Sequence, residues 1–357
     1  MKRIEWIDVT RGIGMLLIVI GHSLMNYTNS DFSKAVFAVN VPIFFVLSGY
    51  LFKVKPWKKF AHGGMDNLLL PYIGTALIIV MLSIIAVHFP HLKGLQSPGN
   101  GQQMLLAAGY GIGSPTTLNL GTFHLVIPAI GAIWFLLAML IGNFLFNVIV
   151  KLTGLVRYSM TLTLVLSIIT ALLGFTTAKV LILPWSINAA LISPIFYWFG
   201  YALRHYDLVE AGTSYYFIVG IVLWVISTCS GFFFMNVAFA TNPLLAVLGG
   251  MGGSYALIVI SKWAVAHVTR LTLLTNLGKY SLIAMCFHDV DLDNFSLPNR
   301  VFSLLSTSGF SLVGVVAVVA LHLVVIALMI ILIPKIPVLR NIYLHRQFGF
   351  KITTKLK

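Results

Sequence analysis

The chain has 357 residues, of which 59% are hydrophobic and only 9% are charged. Soluble domains carry about 25% charged residues and disordered chains are poor in apolar residues, so the composition excludes both classes and indicates a protein of the lipid bilayer. The net charge of +14 does not point to a nucleic-acid partner, because the basic residues lie between apolar runs and not on one basic domain.

Ten apolar runs follow one another along the chain, most of them close to the length of about 20 residues that a spanning helix needs. They predict spans at 7–28, 36–52, 66–88, 125–150, 158–177, 186–203, 214–234, 243–266, 277–290 and 309–333. An even number of spans places both termini on one side. The sequence therefore predicts an all-α, polytopic integral membrane protein, with one transmembrane domain over residues 1–357.

Lysine and arginine are unevenly shared between the connections. If both termini are cytoplasmic, only Lys34, Lys93, Lys179 and Arg300 lie outside, and the other 19 of the 23 basic residues lie inside, the tail 335–357 included. Basic residues favour the cytoplasmic side of a membrane. We therefore predict cytoplasmic termini and a multi-pass protein of the cell membrane.

The longest connection, residues 89–124, is predicted to be extracytoplasmic and is rich in Gly, Ser, Pro, Gln and Asn. This composition is typical of a flexible cover or of a lid over an outward-facing site. Both interpretations stay open.

The first span places ionisable side chains at membrane depth. A charge there costs at least about 2.5–3.5 kcal/mol, which makes Asp8, Arg11 and His22 functional candidates. At helical spacing Arg11 and His22 share one face with a rise of about 16 Å between them. Asp8 lies near the same direction, and Asn26, one turn above His22, is a candidate for substrate binding. The alternative is an interfacial Asp8–Arg11 ion pair with a hydrogen-bonded His22.

We call Asp8, Arg11, His22 and Asn26 the polar stripe of the first span. The stripe indicates acid–base chemistry on a hydroxyl group. Neutral histidine is a common general base for a hydroxyl group. With a cation below it on the same face, His22 is suited to joining an anionic donor from the cytoplasm to an acceptor outside.

Several segments together resemble the membrane-bound acyltransferase-3 family, whose members modify cell-surface glycans. They are IDVTRGIGMLLIVIGHS (7–23), NVPIFFVLSGYLFK (40–53), LLLPYI (68–73), AIWFLLAMLIGNFL (132–145), SPIFYWFGYALRH (193–205) and LGKYSLIAMCFHD (277–289). The arginine and histidine of the first helix, with ten residues between them, are the most specific element.

The resemblance implies a bundle of about ten helices that takes an acyl group from cytoplasmic acyl-coenzyme A. The group, acetyl as the expected case, would pass to a sugar hydroxyl of a polysaccharide or lipid-linked glycan of the cell envelope. It assigns the essential histidine to His22 and the essential arginine to Arg11. Ser48, Tyr50 and Trp134 fall on family motifs and are candidates for substrate contact.

One departure concerns the donor. Many family members carry an RxxR pair before the third helix, and this chain has Gly64 and Asn67 there. We therefore take Lys55, Lys58, Lys59 and Tyr72 as candidates for holding acyl-coenzyme A; orientation in the membrane and contact with anionic lipid are the alternative roles of the lysines.

A polar run near the end of the ninth span contains His288 and Asp289, followed by two more aspartates. His288 matches a histidine common in the family, so both residues are candidates for acceptor binding. A solvated helix end is the alternative. No metal is expected, because the run supplies too few ligands.

The alternative function is that of a transporter or exporter of a glycan or small metabolite, with the polar stripe along its path.

Overall fold

The computed structural model describes residues 3–120, 123–154, 156–211, 214–345 and 347–348. Of the predicted basic tail 335–357, residues 346 and 349–357 lie outside these ranges. The α-helices are α1 Glu5–Ser23, α2 Asp31–Val39, α3 Pro42–Tyr50, α4 Trp57–Gly64, α5 Leu70–His88, α6 Gly101–Tyr110, α7 Trp134–Thr153, α8 Ser159–Ala178, α9 Ile187–His205, α10 Leu208–Ala211, α11 Ser214–Ser230, α12 Pro243–His267, α13 Thr272–Lys279, α14 Ser281–Asn294, α15 Leu297–Thr307, α16 Ser311–Leu332 and α17 Pro337–Tyr343.

The fold is a helical bundle, and the strands of the described ranges form two short antiparallel hairpins. Strands β1 (Thr116–Leu120) and β2 (Phe123–Ile127) pair with Thr116 opposite Ile127. Strands β3 (Phe233–Phe234) and β4 (Phe239–Ala240) form the second hairpin.

Six helical segments in the described part of the chain are long and apolar enough to cross a membrane. They are Asp31–Tyr50, Trp57–His88, Gly131–Thr153, Ser159–Ala178, Pro243–His267 and Ser311–Lys335. The structure also has helices at the other four predicted spans, namely α1, α9, α11 and α14, but these are shorter or less apolar. The helical membrane fold is confirmed, whereas the number of ten spans and the orientation of the termini stay predictions.

Several span boundaries are wrong; the span 214–234, for example, runs past the end of α11 at Ser230 into strand β3. Helix α1 ends at Ser23 and is followed by a 3-10 turn at Met25–Tyr27, so the predicted span to residue 28 is too long. The span predicted from residue 125 begins as strand β2, and α7 starts only at Trp134. A short apolar run does not distinguish a strand from a buried helix.

The long connection 89–124 is folded where it is described and contains helix α6 and strand β1. Helix α6 starts with a capping box between Asn100 and Gln103, and its following residue Gly111 has a φ of +69°, a conformation that suits glycine. The backbone of Gln96 donates to Asn294 O at 2.9 Å, which ties the connection to the end of α14.

Glycines bring helices into backbone contact around the start of α1. A Cβ atom on Gly278 would collide with the carbonyl of Asp8, so α13 lies directly against α1. A Cβ atom on Gly200 would collide with the carbonyl of Val46, and α9 therefore crosses α3 closely. Small residues allow this approach between membrane helices. The contacts bring α13 to the start of α1 and α9 to α3.

Candidate active site

A cavity of about 980 Å³ lies at the end of the bundle where α1 begins. Its wall combines the starts of α1 and α14 with the ends of α3, α9 and α13 and the segment that leads into α5. The charge distribution of the sequence predicts these same helix ends to be cytoplasmic.

Basic side chains outnumber acidic ones in the lining of this cavity. Arg3, Arg11, Lys55, Arg204 and Lys279 contribute to it, whereas Asp8 is the one acidic residue among the described lining residues. A concave surface with an excess of one charge concentrates ligands of the opposite charge. The cavity is therefore suited to a polyanionic ligand such as a nucleotide.

Asp8 is paired with Arg3. The Arg3 guanidinium donates two hydrogen bonds to the Asp8 carboxylate, one of them from Nη2 to Oδ1 at 3.1 Å. These hydrogen bonds raise the pKa of Arg3, so it stays cationic. The structure thus brings Asp8 and Arg11 to the cavity, as the stripe on α1 requires, and adds Arg3 to them.

Ser48 and Tyr50 line the same cavity. Ser48 Oγ donates to Phe44 O at 2.7 Å, and the ring of Tyr50 packs edge-on against Trp6 with centroids 5.2 Å apart. Arg204 Nη1 donates to Tyr50 O at 3.4 Å. Both predicted substrate contacts therefore lie beside the cations at the start of α1.

The four residues predicted to hold the donor do not lie together in the structure. Lys55 lines the cavity, whereas Lys58 and Lys59 are exposed on α4 and do not appear in its lining. Tyr72 is buried, and its hydroxyl donates to Ala108 O of α6 at 2.6 Å. Tyr72 is therefore occupied in packing the folded connection against α5.

Arg204 and Lys279 are cavity residues that the sequence reasoning missed as donor-binding candidates. Each lies at the predicted cytoplasmic end of a helix, where a basic residue also serves orientation. Gly64 and Asn67, which replace the family's arginine pair, line the cavity as well. The motif positions are thus in place, and the positive charge comes from other helices.

The deep end of the cavity is apolar. Met15, Phe44 and Phe135 line it there, and Phe44 and Phe135 pack edge to face with centroids 5.6 Å apart. His22 lies seven residues beyond Met15 on α1, which corresponds to about 10 Å along the helix. The axis of α1 leads from the cations past this apolar section to His22.

Three histidines meet at the other end of α1. The ring centroids of His22 and His288 are 5.7 Å apart, and those of His288 and His322 are 4.8 Å apart. His322 Nδ1 lies 2.7 Å from Asp291 Oδ2. We call His22, His288, His322 and Asp291 the histidine cluster. His22 is half-buried, and His288 and His322 are fully buried.

The solvated helix end considered for residues 288–289 is wrong. His288 and Asp289 both have 0% exposure. The Asp289 carboxylate accepts hydrogen bonds from the backbone N–H groups of Ala132 and Ile133, in the 3-10 turn Gly131–Ile133 that leads into α7. A carboxylate at a helix N-terminus satisfies unpaired N–H groups and favours the helix dipole. These contacts give Asp289 a role in fixing α7.

The remaining predicted contacts lie apart from both regions. Asn26 is exposed in the turn after α1, so its expected place one helical turn above His22 is wrong. Trp134 is buried at the first turn of α7, edge-on to Phe135, and does not line the cavity. His322 was missed by the sequence reasoning, although a single histidine in a very apolar helix is a functional signal.

Within the described ranges, no three His, Cys, Asp or Glu side chains form a group that could hold a metal ion. The bundle, the cationic cavity and the histidine cluster define a multi-pass membrane protein that can bind an anionic ligand and carry out acid–base chemistry.

Comparison with known families agrees with this class. A family model described as an acyltransferase domain matches residues 4–333. The chain belongs to the acyltransferase 3 family, which confirms the resemblance and makes the protein a membrane acyltransferase. No curated protein and no solved structure matches the chain.

Proposed function

We propose that the protein is an O-acyltransferase of the cell membrane that uses cytoplasmic acyl-coenzyme A, with acetyl-coenzyme A as the expected donor. The acceptor is a hydroxyl group of an extracytoplasmic or lipid-linked glycan. The observation that supports this most strongly is the arrangement along α1, with a cationic cavity at its start and a half-buried histidine at its end.

The cavity supplies the donor site of this proposal. Arg204, Lys279 and Lys55 offer charge-assisted hydrogen bonds to the phosphates of coenzyme A, while Arg11 lies farther along the path of the pantetheine arm. Arginine binds a phosphate with two parallel hydrogen bonds and lysine binds it as a point charge. Cations from α9 and α13 take the place of the family's arginine pair.

His22 supplies the general base. Its neutral ring takes the proton of the acceptor hydroxyl while the oxygen attacks the thioester carbonyl. The carbon–oxygen bond forms, the carbon–sulfur bond breaks, and the proton passes from His22 to the departing thiolate. A positioned general base contributes about 10²–10⁴-fold to a rate.

The test uses purified protein in liposomes with acetyl-coenzyme A labelled in its acetyl group. The acceptor source is the glycan-containing membrane fraction of the producing cells. We expect release of the coenzyme A thiol that depends on this fraction, with the label appearing in the glycan. Liposomes that carry His22→Ala are the control. Transfer of a glycan or metabolite across the bilayer without thiol release would contradict the proposal and favour a transporter.

A further inference from the structure

A buried carboxylate–imidazole pair lies beside His288. Asp291 belongs to α14 and His322 to α16; their side chains meet at 2.7 Å, and the two residues have exposures of 4% and 0%. A carboxylate can only accept, so Nδ1 of His322 bears the proton of this hydrogen bond, and in the neutral ring Nε2 keeps its lone pair. The pair therefore fixes one tautomer of His322.

His288 lies between this pair and His22. It is three residues before Asp291 on α14, which places both on one face of the helix. Its ring stands at 88° to that of His322 and is tilted at 56° to that of His22. The order in space is Asp291, His322, His288 and His22, from the interior of the bundle toward the half-buried His22.

Three buried ring nitrogens in this row have no hydrogen-bond partner in the described part of the chain. They are Nδ1 and Nε2 of His288 and Nε2 of His322. An unsatisfied buried polar group costs about 1–3 kcal/mol. Such groups are rare, and a functional role is one reason for keeping them. Apolar side chains of the same shape would avoid this cost, so a structural role alone does not explain the imidazoles.

We propose that Asp291 and His322 are positioning residues for acyl transfer, acting on His22 through His288; this rests on the proposed role of His22. His322 Nε2 accepts the N–H of His288, and the free lone pair of His288 then faces His22. When His22 has taken the acceptor proton, His288 accepts a hydrogen bond from the imidazolium, and the carboxylate of Asp291 stabilises the positive charge. Rotation about χ2, a soft torsion, brings the ring nitrogens within reach.

Two variants test the two contributions separately, namely the acceptor nitrogen of His322 and the charge of Asp291. His322→Asn keeps an amide N–H that can bond to Asp291 but removes Nε2. Asp291→Asn keeps the shape of the carboxylate and removes its charge. The matched control is Thr163→Val, which removes a buried side-chain hydrogen bond of 2.7 Å, between Thr163 and Thr153, away from the cluster.

We expect both cluster variants to lower kcat at least 10-fold with an unchanged KM for acetyl-coenzyme A and a melting temperature like that of Thr163→Val. A kcat within twofold of wild type in both variants would overturn the proposal. So would a loss of activity that merely follows a loss of melting temperature. If the wild-type protein itself shows no thiol release, the proposed function fails, and the inference fails with it. Loss of thiol release is thereby distinguished from an unchanged kcat in the variants, which overturns the inference alone.

A second measurement needs no substrate. Protein labelled with ¹⁵N-histidine, with His322→Asn used to assign the signal, reports the tautomer of His322. We expect Nδ1 protonated and Nε2 unprotonated. A proton on Nε2 in the neutral ring would overturn the proposal, because Nε2 could then not accept the N–H of His288.

Discussion

The two ends of α1 contrast in how they handle charge. At its start, Arg3, Arg11 and the cations of α9 and α13 line a cavity in which positive charge exceeds negative charge. At its end, His22 lies beside the fully buried His288, which packs in turn against the fully buried His322. A neutral imidazole is far cheaper to bury than a fixed cation. On the proposed function, α1 therefore serves recognition of a polyanion at its start and proton transfer at its end.

The largest effect should come from the histidine end. His22→Ala should lower kcat about 100-fold or more, because a positioned general base is lost, and should leave the KM for acetyl-coenzyme A unchanged. Steady-state thiol release measures both constants. His88→Ala is the control, since His88 is exposed at the end of α5 and bonds only to Ile84 O among the contacts described. A raised KM with an intact kcat would reverse the assignment of the two ends.

A smaller effect should come from the cationic end. Arg204→Gln and Lys279→Gln should each raise the KM for acetyl-coenzyme A about 3- to 10-fold with little change in kcat, because each removes one charge-assisted contact that solvent partly screens. The increase should shrink at high salt. Arg157→Gln removes an exposed cation elsewhere and should change neither constant. Equal effects of all three variants would show a general charge effect and no donor site.

The smallest effect should come from adding a cation. Asn67 lines the cavity at a position where many family members have arginine, so Asn67→Arg should lower the KM for acetyl-coenzyme A about 2- to 5-fold, the size of a partly screened ion pair. Asn67→Gln supplies the neutral control. If Asn67→Arg binds no better than Asn67→Gln, the existing cations do not act where the family's arginine pair does.

The sequence predicted the parts of the site that one helix contains. Helical spacing and the cost of membrane charges were enough to place Asp8, Arg11 and His22 on α1 in the order that the structure has. Asn26 was misplaced because nothing in a periodicity argument marks the end of α1 at Ser23. A helix end depends on local capping and on the packing of the next segment of the chain.

The parts built from several helices could not be predicted. That Arg204 and Lys279 share a cavity with Arg11 results from glycine contacts between distant segments, such as Gly278 against Asp8. Periodicity likewise gives no hint that His322 of α16 meets Asp291 of α14. Nor does it indicate that the carboxylate of Asp289 bonds to the turn that leads into α7. Sequence patterns select polar residues in apolar helices, and only the packing decides their partners.

A cryo-electron microscopy structure of the protein with coenzyme A in lipid nanodiscs would show where the donor binds. We expect the phosphates beside Arg204 and Lys279, with the pantetheine arm passing Arg11 and its thiol pointing along α1 toward His22. Coenzyme A bound at the exposed Lys58 and Lys59, or at the opposite end of the bundle, would contradict this expectation.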